Sequence, residues 1–110
     1  MAVRQIPKML RPALKELKTR LKQELDASIR LILFGSFARG QAKPDSDVDV
    51  CLVLPEYDRQ KFWKALDIAW EVGFQHGLVI SLLPLTPAML QLPADMLPIA
   101  GEIRRDGIAI

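Results

Sequence analysis

Residues 35–54 read GSFARGQAKPDSDVDVCLVL: a glycine-serine turn, a polar loop, and then two aspartates that open an apolar run. Because successive side chains of a β-strand point to opposite faces, the run predicts a strand with one wholly apolar face. That face holds Val48, Val50, Leu52 and Leu54. The opposite face holds Asp47, Asp49, Cys51 and Val53. The stretch therefore predicts a buried strand with two carboxylates together at its start.

The segments around this strand alternate between helical and extended patterns. Helices are indicated by apolar residues spaced three and four apart, and strands by short β-branched or aromatic runs that glycine or proline closes. The predicted order is a helix from Leu10 to about Asp26, strands at 29–35 and 47–54, a helix capped by Asp58 at 58–77, a strand at 78–85, a tail helix broken at Pro93 and Pro98, and a short strand at 106–110.

This order indicates an α/β or α+β fold in which helices cover a small mixed sheet. The loop between the first two strands is too short for a crossover helix, so we expect that pair to be antiparallel. A chain of 110 residues is long enough for one domain and too short for two. We therefore expect a single domain over residues 1–110.

Charge is unevenly distributed along the chain. Residues 1–30 carry eight Lys or Arg against three acids, and the other residues carry seven against ten, which gives net charges of +5 and −3. A basic surface can attract nucleic acid or an acidic partner. A solvated face of the first helix explains the pattern more simply, so nucleic-acid binding is not expected.

The single cysteine excludes an internal disulfide and favours a reducing compartment. The first residues lack the apolar segment of a secretory signal, and the most apolar later stretch, around Pro84 and Pro87, is too short to span a bilayer. We expect a cytoplasmic protein with no membrane partner.

Asp47 and Asp49 lie one pleat repeat apart on the same strand face, close enough to share a cation. Carboxylates at that spacing repel each other unless a positive charge lies between them, and Mg²⁺ is the usual ion. Mg²⁺ fills its shell with water and substrate phosphates, so a nucleoside triphosphate is the expected ligand.

The Gly35-Ser36 turn is suited to the phosphates. Glycine lets the backbone approach a ligand closely, and the serine hydroxyl with its neighbouring N–H groups can bind phosphate oxygens. Arg39 and Lys43 are expected to neutralise the phosphate charge. The turn is not a P-loop, because no Gly-Lys-Ser/Thr closes it.

Two short segments carry a family resemblance: FGSFARG, and SDVDV, in which Asp47 follows Gly35-Ser36 after ten residues. Together they resemble the signature of the minimal nucleotidyltransferases, small members of the DNA polymerase β-like superfamily. The resemblance covers nearly the whole chain. It implies transfer of a nucleoside monophosphate, with AMP from ATP expected, to a hydroxyl, with Asp47 and Asp49 holding Mg²⁺. Small members of the family are often antitoxins that pair with HEPN-domain toxins, so the resemblance also implies such a partner.

One position departs from the family pattern. Active members carry a third carboxylate on a later strand, and the corresponding residue here is predicted to be Ser81, which is neutral and cannot replace a metal-bound acid. Two interpretations stay open. The protein is either an active transferase that obtains the third acid elsewhere, or a weakened transferase that acts as an antitoxin by binding its partner.

The remaining reactive or aromatic residues have structural explanations. His76 is expected at a helix C-terminus, Cys51 as a buried small residue, and Trp63 and Trp70 in the core or an interface, with Trp70 on the same face as Ala69. The tail contains more apolar residues than a small domain buries easily, which indicates a partner surface or a homo-oligomer.

Overall fold

A computed structural model describes residues 4–110. The predicted helices and strands are present in the predicted order, and the four strands and the two longest helices are shorter than predicted by at most two residues at either end. They are a 3₁₀ turn at Lys8–Leu10, α1 (Arg11–Glu24), β1 (Arg30–Phe34), α2 (Ser36–Arg39), β2 (Val48–Val53), α3 (Arg59–His76), β3 (Ile80–Leu85), α4 (Pro87–Leu90), α5 (Pro98–Asp106) and β4 (Ile108–Ala109).

The four strands form one mixed sheet in the order β3-β2-β1-β4. β1 is antiparallel to β2 and to β4, and β2 is parallel to β3. The predicted mixed sheet and antiparallel first pair are therefore confirmed. The parallel pair is possible because α3 carries the chain back across the sheet between β2 and β3.

Each face of the sheet is covered by different helices. α1 and α3 bury the main core against one face, including Val48, Val50 and Leu52 of β2. The tail covers the other face with a smaller cluster that includes Cys51 and Val53 of β2. The predicted alternation along β2 is thus confirmed, and it sends the side chain of Asp49 to the tail-covered face.

The two ends of α3 are fixed by local hydrogen bonds. The Asp58 carboxylate accepts from the N–H groups of Gln60 and Lys61 at 2.9 and 3.1 Å, which confirms the predicted N-cap. Gly77 ends the helix, so glycine and not His76 forms the cap. The imidazole Nε2 of His76 instead lies 2.7 Å from Glu16 of α1 and joins the two helices.

The two tryptophans of α3 are not in the core. The helix buries small or β-branched residues such as Ala65, Ala69 and Val72, which allow it to lie close to the sheet. Trp63 and Trp70 are 58% and 67% exposed, so the core is excluded for them, the interface stays a prediction, and the placing of Trp70 on the face of Ala69 was wrong. Adjacent residues of a helix point about 100° apart, and Trp70 therefore leaves the buried face.

No helix within residues 4–110 combines the length and the apolar character needed to cross a membrane.

Candidate active site

The Gly35 turn and Asp49 are in direct contact at the end of β1. Phe34, the last residue of β1, pairs with Asp49 of β2, so Gly35 passes beside the carboxylate. Its φ is +76°, and a Cβ placed on it would clash with Asp49 Oδ2. Glycine is therefore required here for both its backbone conformation and its missing side chain. Ser36 follows at once and begins α2.

Asp47 and Asp49 both lie at the beginning of β2, as predicted. Asp47 is exposed just before the strand, whereas Asp49 is partly buried. Burial raises the pKa of Asp49 above its usual value, the negative charges of Asp47 and Glu102 raise it further, and Arg39 opposes them. We call the group formed by the Gly35 turn, Asp47, Asp49, Arg39 and Glu102 the corner. Two carboxylates and one arginine act on Asp49 there, so negative charge predominates and favours a bound cation.

Arg39 lies at the end of α2, close to Asp49. Its guanidinium NH1 forms an ion pair of 2.8 Å with Glu102 of α5, and its Nε is 3.4 Å from Gln41 Oε1. Lys43 lies in the exposed loop before β2, where its backbone N–H donates to Ser46 Oγ at 2.7 Å. Of the two predicted phosphate ligands, the structure therefore brings Arg39 into the corner, and it shows Lys43 as an exposed loop residue.

Ser81 lies directly opposite Asp49 in the parallel ladder between β2 and β3. It is exposed, and β3 has the sequence ISLLPL, which contains no acid. A carboxylate at this register would adjoin Asp49 on the same face. β3 therefore supplies the hydroxyl of Ser81 at the position where the family resemblance implies a third carboxylate.

Glu102 is the site residue that sequence reasoning missed. It belongs to no motif, and only the packing of α5 against the sheet brings it near Asp49 and Arg39. A possible sequence signal is its place on the helix, since Glu102 falls between the buried Ala100 and Ile103. That signal marks an amphipathic helix and gives no indication of a site.

Asp47 and Asp49 are better suited to an ion that binds together with phosphates than to an ion held permanently by protein ligands. Within residues 4–110, no group of three His, Cys, Asp or Glu side chains is arranged to hold an ion. Mg²⁺ needs only one or two carboxylates when phosphates and water complete its shell. Asp47 and Asp49 meet that requirement.

Cys51 lies two residues further along β2 and takes no part in this corner. It is fully buried, and burial raises the pKa of its thiol to about 11. A thiol in that state is a poor nucleophile, so the expected structural role fits its environment.

The family model of the nucleotidyltransferase domain matches residues 14–103 of the chain. The matched segment includes the Gly35 turn, both aspartates and Glu102. It extends from α1 to α5, so it covers all of the sheet except β4.

Relatives and solved structures agree with this match. The chain is 40% identical over 91 residues to a candidate protein adenylyltransferase of Methanocaldococcus jannaschii, covering 77% of this chain and 60% of that protein. It is 41% identical over 68 residues to a bifunctional uridylyltransferase/uridylyl-removing enzyme of Thiobacillus denitrificans, covering 58% of this chain and 8% of that enzyme. A toxin-antitoxin structure with AMP-PNP has the same fold, with a TM-score of 0.57 and 17% identity over 84% of this chain and 68% of its own.

Proposed function

We propose, from the premise that this chain belongs to the nucleotidyltransferase domain family, that it transfers a nucleoside monophosphate, AMP from ATP, to a hydroxyl with the help of Mg²⁺. The acceptor oxygen bonds to the α-phosphorus as the bond from that phosphorus to pyrophosphate breaks, so pyrophosphate leaves and the hydroxyl proton passes to solvent. The observation that carries the proposal is the contact between the Gly35 turn and Asp49. It joins a glycine turn of positive φ to a carboxylate whose pKa is raised by burial and, further, by the negative charges of Asp47 and Glu102. The adenylyltransferase name of the archaeal relative supports AMP as the group transferred.

Each residue of the corner has a role in this reaction. Ser36 and the N–H groups of the turn bind phosphate oxygens, and Arg39 neutralises their charge. Asp47 and Asp49 would hold the ion, which would supply charge stabilisation to the transferring group. The protein itself orients the triphosphate for attack by the acceptor hydroxyl.

Melting temperatures test the site. ATP should stabilise the protein with Mg²⁺ present and much less with a chelator, because only the ion joins the phosphates to the aspartates. Asp49→Asn should abolish that difference. The matched control is Asp67→Asn, which neutralises an exposed carboxylate on α3 and should preserve the Mg²⁺-dependent shift. An unchanged shift in Asp49→Asn would show that the nucleotide binds elsewhere.

A second function is favoured by the register of Ser81 opposite Asp49. Catalysis with two ions would need one on the triphosphate and a second that activates the acceptor. Without a third carboxylate the second ion would lack an anionic ligand, whereas the first would keep both aspartates. The protein then binds nucleotide, transfers slowly, and acts chiefly by masking its partner. Ser81→Asp should raise the rate of label transfer from ATP, and Ser81→Asn is the neutral control of similar size. Brisk transfer by the natural protein, unchanged by Ser81→Asp, would exclude this alternative.

We further infer a protein partner, with a HEPN-domain toxin as the expected one. An apolar surface on the outside of α3 supports a partner of some kind: Trp70 and Phe74 stack at 5.4 Å and are 67% and 74% exposed, beside the exposed Val79. Trp70→Ser should weaken capture of the product of the neighbouring gene, whereas Trp63→Ser, elsewhere along the helix, should weaken it less. Self-association that Trp70→Ser abolishes would instead identify a homo-oligomer interface.

A further inference from the structure

Arg39 and Glu102 connect the phosphate turn to the tail. Arg39 ends α2, Glu102 lies on α5, and their side chains meet at 2.8 Å while each remains about one-third exposed, at 33% and 32%. Arg39 is a predicted phosphate ligand, whereas Glu102 belongs to no motif of the sequence. Their ion pair is therefore a contact between the predicted site and the tail. Water reaches both side chains, so either can exchange its partner without opening the core.

The helix that carries Glu102 is held firmly. Ala100 and Ile103 are buried, and a Cβ on Gly101 would clash with Ala94. Arg104 donates to the carbonyl oxygens of Leu90 and Leu92 at 2.6 and 2.7 Å. α5 is therefore fixed against the sheet, and Glu102 and Arg39 separate by rotation of their side chains rather than by movement of the helix.

Charge around this pair opposes an incoming anion. Asp47, Asp49 and Glu102 lie around Arg39, and Asp106, which is paired with Arg4 and Arg105, lies next to them. These four carboxylates outnumber the three arginines, so negative charge predominates. A phosphate that binds Arg39 through NH1 has to replace the Glu102 carboxylate, which occupies that nitrogen. Mg²⁺ at the aspartates would offset the rest of the negative charge.

We infer that Glu102 is an internal competitor of the triphosphate: it neutralises Arg39 in the free protein, and nucleotide binding exchanges this carboxylate for a phosphate. The inference rests on the proposed function, because it needs a triphosphate at the Gly35 turn. It makes Glu102 a residue that sets nucleotide affinity. A role as third metal ligand is the opposite possibility, and the absence of a three-ligand group within residues 4–110 weighs against it.

Calorimetric titration with Mg·ATP tests the exchange. Glu102→Gln should tighten binding roughly two- to fivefold, the range expected when an exposed ion pair no longer competes. The gain should shrink at high salt, since screening weakens the competing pair. Glu71→Gln is the matched control: it removes a similar partly exposed ion pair, Arg20 to Glu71 at 2.9 Å, away from the corner, and should leave the affinity unchanged.

A double-mutant cycle gives a second measurement. Arg39→Gln should cost more affinity in the Glu102→Gln protein than in the natural one, because only there is Arg39 free before binding. Equal losses would overturn the competition, as would unchanged affinity in Glu102→Gln. Weaker binding in Glu102→Gln, with a reduced response to Mg²⁺, would identify Glu102 as a metal ligand instead. If neither the natural protein nor any variant binds Mg·ATP, the proposed function fails together with this inference.

Discussion

The two faces of β2 have opposite roles. The residues that face α1 and α3, Val48, Val50 and Leu52, are 0% exposed and surrounded by aliphatic side chains. On the other face, Cys51 and Val53 are buried under the tail, but the cover stops before Asp49, which remains partly exposed. One strand thus supplies both a complete core and an open, charged corner.

This difference shows how the fold separates stability from chemistry. The face that α1 and α3 cover stabilises the fold by burying apolar area, and an unpaired charge there would be strongly destabilising. The open corner holds negative charge that a cation can neutralise, and partial burial together with the neighbouring carboxylates raises the pKa of Asp49. Alternation along the strand keeps the two roles a single residue apart.

The largest loss of stability is expected from a substitution on the face of β2 that packs against α1 and α3. Leu52→Ala should lower the free energy of unfolding by about 2–5 kcal/mol, because it leaves a cavity in the main core. Leu83→Ala on β3 should cost less, since Leu83 packs on the tail-covered face and is only partly buried. Denaturant unfolding measures both. Equal losses would mean that the tail-covered cluster contributes as much stability as the main core.

A smaller effect is expected at the turn that borders the open corner. Gly35→Ala should cost about 1–3 kcal/mol for the positive φ, and it should also displace Asp49 and remove the Mg²⁺-dependent response to ATP. Gly40→Ala is the matched control, since Gly40 has a φ of +71° but open space where a Cβ would lie. It should lose stability from the same strain and keep the ATP response. Loss of that response in both variants would indicate that any strain in this loop disrupts the site.

The smallest effect is expected from removing the charge itself. The fold raises the pKa of Asp49, so the folded state binds its proton more tightly than the unfolded state, and the stability of the natural protein falls as the pH rises through that pKa. In chelator, Asp49→Asn should therefore melt slightly higher than the natural protein at neutral pH. The difference should vanish towards about pH 4, where the unfolded-state carboxyl is also protonated. A lower melting temperature for Asp49→Asn at neutral pH would show that the ionised carboxylate is stabilised by a partner.

Much of this arrangement could be predicted because it depends on local patterns. The alternation in DVDVCLVL, the cap at Asp58 and the short loop before Asp47 gave the strand faces, a helix start and an antiparallel pair. The tryptophans of α3 could not be placed in the same way. Hydrophobicity alone left Trp70 either in the core or in an interface, and the close approach of α3 to the sheet, which left room only for smaller side chains, kept it out of the core.

The sequence by itself determined the elements, the antiparallel first pair of strands, and the nearness of a glycine-serine turn to two aspartates, because each follows from spacing within about twenty residues. Only the tertiary structure decided the register that puts Ser81, predicted at the third-acid position, directly opposite Asp49, and the ion pair of Glu102 with Arg39. Those neighbours are separated by more than thirty residues along the chain. Strand register and the docking of a tail helix bring them together, and both depend on how the whole core packs.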